Sequence, residues 1–137
     1  MNITIKQALL AAALLGLTAL LRAEPTLVGN QSFAGQTLDA EGIKAVLLGK
    51  KVMLGDTRVV IVVAKSSAGQ DAFLQAHAGM TTSQFQNYWR RLFMTGGGSA
   101  PKNVETEAEA CKLVSETAGA ITVAASDSVG SLTVLGK

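Results

Sequence analysis

The sequence predicts one layered α/β domain behind a cleavable leader. Three observations carry this. An apolar run at the N-terminus stops abruptly at residue 23. Five β-branched residues in succession, Val59 to Val63, feed straight into a capped helix start. Four helix starts are interleaved with strand-like runs along the rest of the chain.

The leader comes first. Lys6 supplies a positive n-region, Ala8 to Leu21 form an almost unbroken Ala/Leu run, and Leu21-Arg22-Ala23 precedes Glu24-Pro25. A short apolar stretch ending in a small residue is the pattern of a secretory signal peptide. It is shorter than the roughly 20 apolar residues of a spanning helix. Cleavage is expected after Ala23, which assigns residues 1–23 to the leader and 24–137 to the domain, and the periplasm as its location. The chain has 12 basic and 10 acidic residues; Lys6 and Arg22 leave with the leader, so the domain carries equal numbers of each. A neutral domain predicts no general attraction for nucleic acid or anionic lipid. Its length suits one core.

Cys111 is the single cysteine and His77 the single histidine. That inventory excludes an internal disulfide, a Cys/His zinc site and a histidine-based triad. No metal and no cofactor is expected.

The elements follow in order. Thr26 to Val28 is a short strand candidate. Asp39 caps the first helix, with Leu38 and Ile43 placed as a hydrophobic staple; Ile43, Val46 and Leu47 make its apolar face and Gly49 its left-handed stop. Arg58 to Ala64 reads as a strand buried on both faces of a helix-covered sheet. Ser67 and Gln70 have capping-box spacing for a second helix, which buries Phe73 and Leu74 and stops at Gly79. Thr81 and Gln84 repeat the box for a third, with Phe85, Trp89, Leu92 and Phe93 on one face. Gly96 to Pro101 is a loop. Thr106 and Glu109 open a fourth helix, which carries Cys111 and Val114 inward. Ala120 to Ala124 and Leu132 to Leu135 are the closing strands.

The segment richest in chemistry is Lys65-Ser66-Ser67-Ala68-Gly69-Gln70, where a strand turns into a helix. The first-turn amides of a helix lack intrahelical partners, and the dipole there favours an anion. Ser66 and Ser67 add hydroxyls, Lys65 a charge, and the turn lies at the carboxyl end of a strand, where open α/β sheets bind ligands. Ser67 serves equally well as a plain N-cap. The glycines at 96–98 lack the Lys-Ser/Thr ending of a P-loop and read as a turn. Arg90 and Arg91 read as solvated surface, and Cys111 as an inert thiol. No base stands near Ser66 or Ser67 to make either a nucleophile, so no enzyme is expected.

Taken together, Val28-Gly29-Asn30-Gln31-Ser32, Leu38-Asp39-Ala40-Glu41-Gly42-Ile43, Leu47-Leu48-Gly49-Lys50-Lys51, Ser66 to Phe73, Tyr88-Trp89, Leu92-Phe93-Met94-Thr95-Gly96 and Gly119-Ala120-Ile121 resemble, in order and spacing, the periplasmic phosphate-binding proteins of ABC transporters. The resemblance implies one lobe of a type II periplasmic binding protein. It implies phosphate, or a similar small oxyanion, held by hydroxyls and amides at helix starts. Carried over by position, the binding residues are Lys65, Ser66, Ser67, Gly69 and Gln70, with Asn30 and Ser32 from a first turn. Where the family shows Ser-Gly-Thr, this chain reads Ser67-Ala68-Gly69-Gln70. It implies as partners an ABC transporter or another envelope protein, and a homodimer as one way to build a second wall. The alternative reading is an envelope protein-interaction module on the same fold, with ligand binding weak or lost.

Overall fold

The computed structural model describes residues 24–96, 100–126 and 129–137, with Ser66 described by its backbone. The expected leader and the glycine run at 97–98 lie outside the described residues. The elements are β1 (Pro25–Gly29), a 3-10 turn (Gln31–Phe33), α1 (Ala40–Leu47), β2 (Met53–Leu54), β3 (Thr57–Arg58), β4 (Val60–Ser66), α2 (Ala68–Ala78), α3 (Thr82–Met94), β5 (Lys102–Thr106), α4 (Glu107–Glu116), β6 (Ala120–Ala125) and β7 (Thr133–Gly136). The fold class is α/β, as expected.

Five strands form one sheet in the order β5-β4-β6-β1-β7, and β2 and β3 form a separate hairpin. β4 runs parallel to β5 and β6, whereas β1 runs antiparallel to both of its neighbours, β6 and β7. The parallel strands therefore define two edges of the sheet. Their carboxyl edge carries Ser66 and Thr106; their amino edge carries Val60 and Ala120.

Alternation along the strands sorts side chains to two faces. Leu27, Val63, Ile121, Val123 and Leu135 meet Ile43, Val46 and Leu47 of α1, Phe73 and Leu74 of α2, and Phe85 and Trp89 of α3 in the larger core. Val62 and Ala120 meet Ala110 and Val114 of α4 on the other face. The sheet is thus sandwiched between three helices and one. Each large apolar side chain so buried stabilises the fold by about 1.5–3 kcal/mol. All of these residues lie between 27 and 135, so the segment 24–137 carries its core within itself.

The helix caps form largely as the sequence predicts. Asp39 Oδ1 accepts from Gly42 N at 2.7 Å, and Thr81 and Gln84 make both halves of a capping box. The Gly49 and Gly79 stops are left-handed. The end of α1 is closed by α3: Trp89 Nε1 donates to Leu47 O at 2.9 Å and Tyr88 OH to Leu48 O at 2.6 Å. These bonds satisfy terminal carbonyls that the helix cannot.

Several expectations are corrected. β5 and the β2–β3 hairpin were not expected. Phe93 does not join Phe85 and Trp89 in the core; it is 54% exposed, and Leu92 is half-buried. Cys111 is half-exposed, and the inward residues of α4 are Ala110 and Val114. The Ser67–Gln70 box forms only by half. Ser67 Oγ accepts from Gln70 N, but the Gln70 side chain turns into the core.

Two glycines separate backbone strain from crowding. Gly79 has φ +67° with open space where a Cβ would sit, whereas at Gly119 (φ +80°) a Cβ would lie 2.1 Å from Arg58 O. Gly79→Ala is expected to lower the unfolding free energy by about 1 kcal/mol, and Gly119→Ala by about 3 kcal/mol or more. Urea unfolding of the two variants checks the difference.

Candidate functional site

β4 ends and α2 begins within one residue, with Ser67 as the cap between them. In the first turn of α2, Gln70 N goes to Ser67 Oγ and Asp71 N to Ser67 O. The amides of Ala68 and Gly69 are the first-turn donors left without an intrahelical partner.

The start of α3 comes back to the same place. Thr82 N and Thr82 Oγ1 both donate to Asp71 Oδ1, at 2.7 and 2.5 Å. Between the two helix starts lies a polar cleft of about 510 Å³, lined by Lys65, Ser67, Asp71, Thr81, Ser83 and Gln86 among others. It opens to solvent at the carboxyl edge. Lys65 Nζ stands 4.0 Å from Glu105 Oε2, and both side chains are about three-quarters exposed. This is the one ion pair among the described residues, and a loose one.

The Gln70 amide sits behind the cleft and is buried. Its Oε1 accepts from Ala64 N at 2.9 Å, and its Nε2 donates to Ala64 O at 2.7 Å and to Thr82 Oγ1 at 3.2 Å. All of these contacts are internal, so Gln70 holds the cleft in shape from behind. Gly69 lies beside Pro25: a Cβ there would be 3.6 Å from the proline Cβ.

Asn30 and Ser32 are not brought to this cleft. Because β1 is antiparallel to β6, its carboxyl end reaches the amino edge of the parallel strands, opposite Ser67. There the buried Asn30 Nδ2 donates to Val114 O (2.7 Å) and Ser115 O (3.2 Å), and its Oδ1 accepts from Ser32 N (2.8 Å). Ser32 Oγ accepts from Gly119 N at 2.9 Å. Both residues tie the turn between α4 and β6 to the end of β1. Of the seven expected residues, Lys65 and Ser67 are among those that line the cleft; Gly69 follows Ala68 in the first turn of α2.

Sequence reasoning missed Asp71, Thr81, Thr82 and Ser83. The signal was present as a run of three hydroxyl residues at the capped start of α3, but nothing in the sequence showed that this start folds back onto α2.

The electrostatics are mixed. Two helix starts and Lys65 attract an anion. The Asp71 carboxylate opposes one, and Glu105 stands beside Lys65. The Thr82 hydroxyl and amide hold the Asp71 carboxyl below its usual range. Elsewhere, burial first and then the charge of Glu107 push the Cys111 thiol up. Among the described residues no group of three or more His, Cys, Asp or Glu is arranged to hold a metal ion.

No protein-family model matches the chain, and no curated protein does. Its fold is similar to that of an ABC-type phosphate transport receptor from Vibrio cholerae, with a TM-score of 0.60 at 15% identity over 82% of this chain. The chain spans 45% of the receptor's length. At this identity the likeness is one of fold.

Two outcomes follow from the shifted groups. A carboxyl with a lowered folded-state pKa adds stability above its unfolded pKa and loses it as pH falls through the folded value. Asp71→Ala should therefore destabilise by roughly 0.5–1 kcal/mol at neutral pH, a small effect because the site is open to water. The gap to the parent should close only below about pH 4. Urea titrations across pH measure it. Cys111 should react with iodoacetamide several-fold more slowly than free cysteine at pH 8, and Glu107→Gln should speed it.

Proposed function

We propose that this chain is a solute-binding domain of the periplasm that takes phosphate, or a similar small oxyanion, against the cleft between α2 and α3. The observation that carries the reading is the meeting of two helix starts in one polar, solvent-open cleft at the carboxyl edge of β4. Lys65, Ser67, Thr81 and Ser83 supply charge and hydroxyls, and the amides of Ala68 and Gly69 point the dipole of α2 at the same space. Likeness in fold to a phosphate transport receptor supports the ligand class and a link to ABC-type uptake.

Asp71 gives the cleft a preference. Its Oδ1 is engaged by Thr82, leaving Oδ2 as an acceptor. Phosphate near neutral pH carries a proton that this oxygen can accept. Sulfate carries none and would meet the carboxylate as a like charge.

A second reading is an envelope protein-interaction module on the same fold. One observation favours it. Asp71 already places a carboxylate at the start of α3, where a bound anion would otherwise sit.

Isothermal titration of the 24–137 domain separates the two. Phosphate is expected to give a saturable heat with Kd on the order of 10 mM, set by the one-sided site. Sulfate should give none, and Ser67→Trp should abolish the phosphate signal. Silence with phosphate from a folded sample would move the assignment to the interaction module.

A further inference from the structure

Equal numbers of acidic and basic residues in 24–137 predict no general attraction for anionic lipid, but the fold does not mix them evenly. Asp71, Glu105, Glu107 and Glu109 gather at the carboxyl edge, on the starts of α2 and α4 and the end of β5. Lys51, Arg58 and Arg90 gather on the other side, where the β2–β3 hairpin meets the last turns of α3. Lys51, Val52 and Arg58 line a notch of about 130 Å³ with Trp89 and Ala100. Arg90 and Phe93 line a second notch of about 170 Å³ with the same Trp89 and Ala100. The two are therefore neighbours on one face.

Two features set this face apart. Its cations are uncompensated: among the described residues the one ion pair is Lys65–Glu105, and Asp56, two residues from Arg58, is not within ion-pair distance of it. Among the described residues it also carries four of the five exposed large apolar side chains, the fifth being Val134 on β7. Phe93 is 54% exposed and the adjacent Met94 78%, with Val52 and Met53 at about 40% across the notch. Met53 is the cross-strand partner of Arg58, so apolar and basic side chains alternate over the surface.

We infer that this face, built by Lys51, Val52, Met53, Arg58, Arg90 and Phe93, docks on an anionic lipid surface. Long cations flanking protruding Met, Val and Phe side chains fit the interfacial layer of a bilayer, where the charges meet headgroups and the apolar tips enter the acyl boundary. The notches are shallow and each is about the size of one side chain. A contact that reads charge and apolarity rather than shape suits such a surface. Among the described residues no helix is long and apolar enough to cross a membrane. The inference does not rest on the anion cleft, although Gln86 lines both that cleft and the second notch.

The test is flotation of the 24–137 domain, free of its apolar leader, with vesicles of phosphatidylcholine alone or doped with phosphatidylglycerol. Binding is expected only to the doped vesicles, and it should weaken from low to physiological salt. Arg90→Glu should lower the partition coefficient roughly 25-fold, since it changes two units of charge and each near such a surface is worth about fivefold. Lys112→Glu, the same charge change on exposed α4, should leave it within about twofold. Phe93→Asp should also reduce binding. No flotation with doped vesicles, equal flotation with undoped ones, or equal losses for Arg90→Glu and Lys112→Glu would overturn the proposal. Thermal melts of each variant confirm that the sample is folded.

Discussion

The cleft depends on one buried amide. β4 and β6 pair only at their amino ends, Val60 and Ile61 against Ala120 and Ile121. Beyond that point the strands have no ladder between them, and buried backbone groups of β4 need other partners. Thr122 Oγ1 donates to Val62 O at 2.8 Å, and the Gln70 side chain takes both the amide and the carbonyl of Ala64. Gln70 thus replaces two rungs of the sheet. Its remaining donor reaches Thr82, whose hydroxyl reaches Asp71. One chain of hydrogen bonds runs from the sheet through α2 to the start of α3. Loss of the Gln70 amide would leave two buried backbone groups unsatisfied, at about 1–3 kcal/mol each, and would free the start of α3 from the cleft.

This also explains what the sequence could and could not reveal. Caps were legible because they are local. An Asp, Ser or Thr oxygen three residues ahead of an amide needs only the helix it starts, and all four N-caps formed. The central strand was legible because Val59 to Val63 have few alternatives to burial. β5 was not, because Lys102-Asn103-Val104-Glu105-Thr106 is a polar edge strand with one half-buried apolar residue. It is a strand because its backbone pairs with β4, which no hydropathy pattern records. Gln70 misled for a related reason. Its spacing from Ser67 matches a capping box, but the unpaired backbone of Ala64 offered a buried partner. The placement of Asn30 and Ser32 turned on the direction of β1. A five-residue strand reads the same whether it runs parallel or antiparallel to its neighbours, and the antiparallel choice carries those residues to the far edge.

On the proposed reading, the cleft by itself is a weak anion site. A single charge contact in water at about 4 Å gives about 1 kcal/mol, and a helix start at the surface about 0.3–1 kcal/mol. Lys65 and two helix starts together reach a few kcal/mol before the opposing Asp71 and the nearby Glu105 are counted. That corresponds to millimolar affinity at best. Higher affinity requires the anion to leave water, which strengthens every contact it makes, and only a second wall can do that. The chain spans less than half the length of the receptor it is similar to in fold.

The two edges of the sheet give that requirement a geometry. The cleft opens at the carboxyl edge, while the uncompensated cations and exposed Phe93, Met94, Val52 and Met53 gather where the hairpin meets the end of α3. Both arrangements follow from helix direction. α3 begins at the cleft with a capped start and ends with Arg90, Phe93 and Met94, so the helix that supplies hydroxyls to one edge delivers the basic, apolar surface to the other. The reverse arrangement, with cations at the cleft, would have strengthened the anion site and removed the basic surface. The cations of the two notches, Lys51, Arg58 and Arg90, are not among the residues that line the cleft.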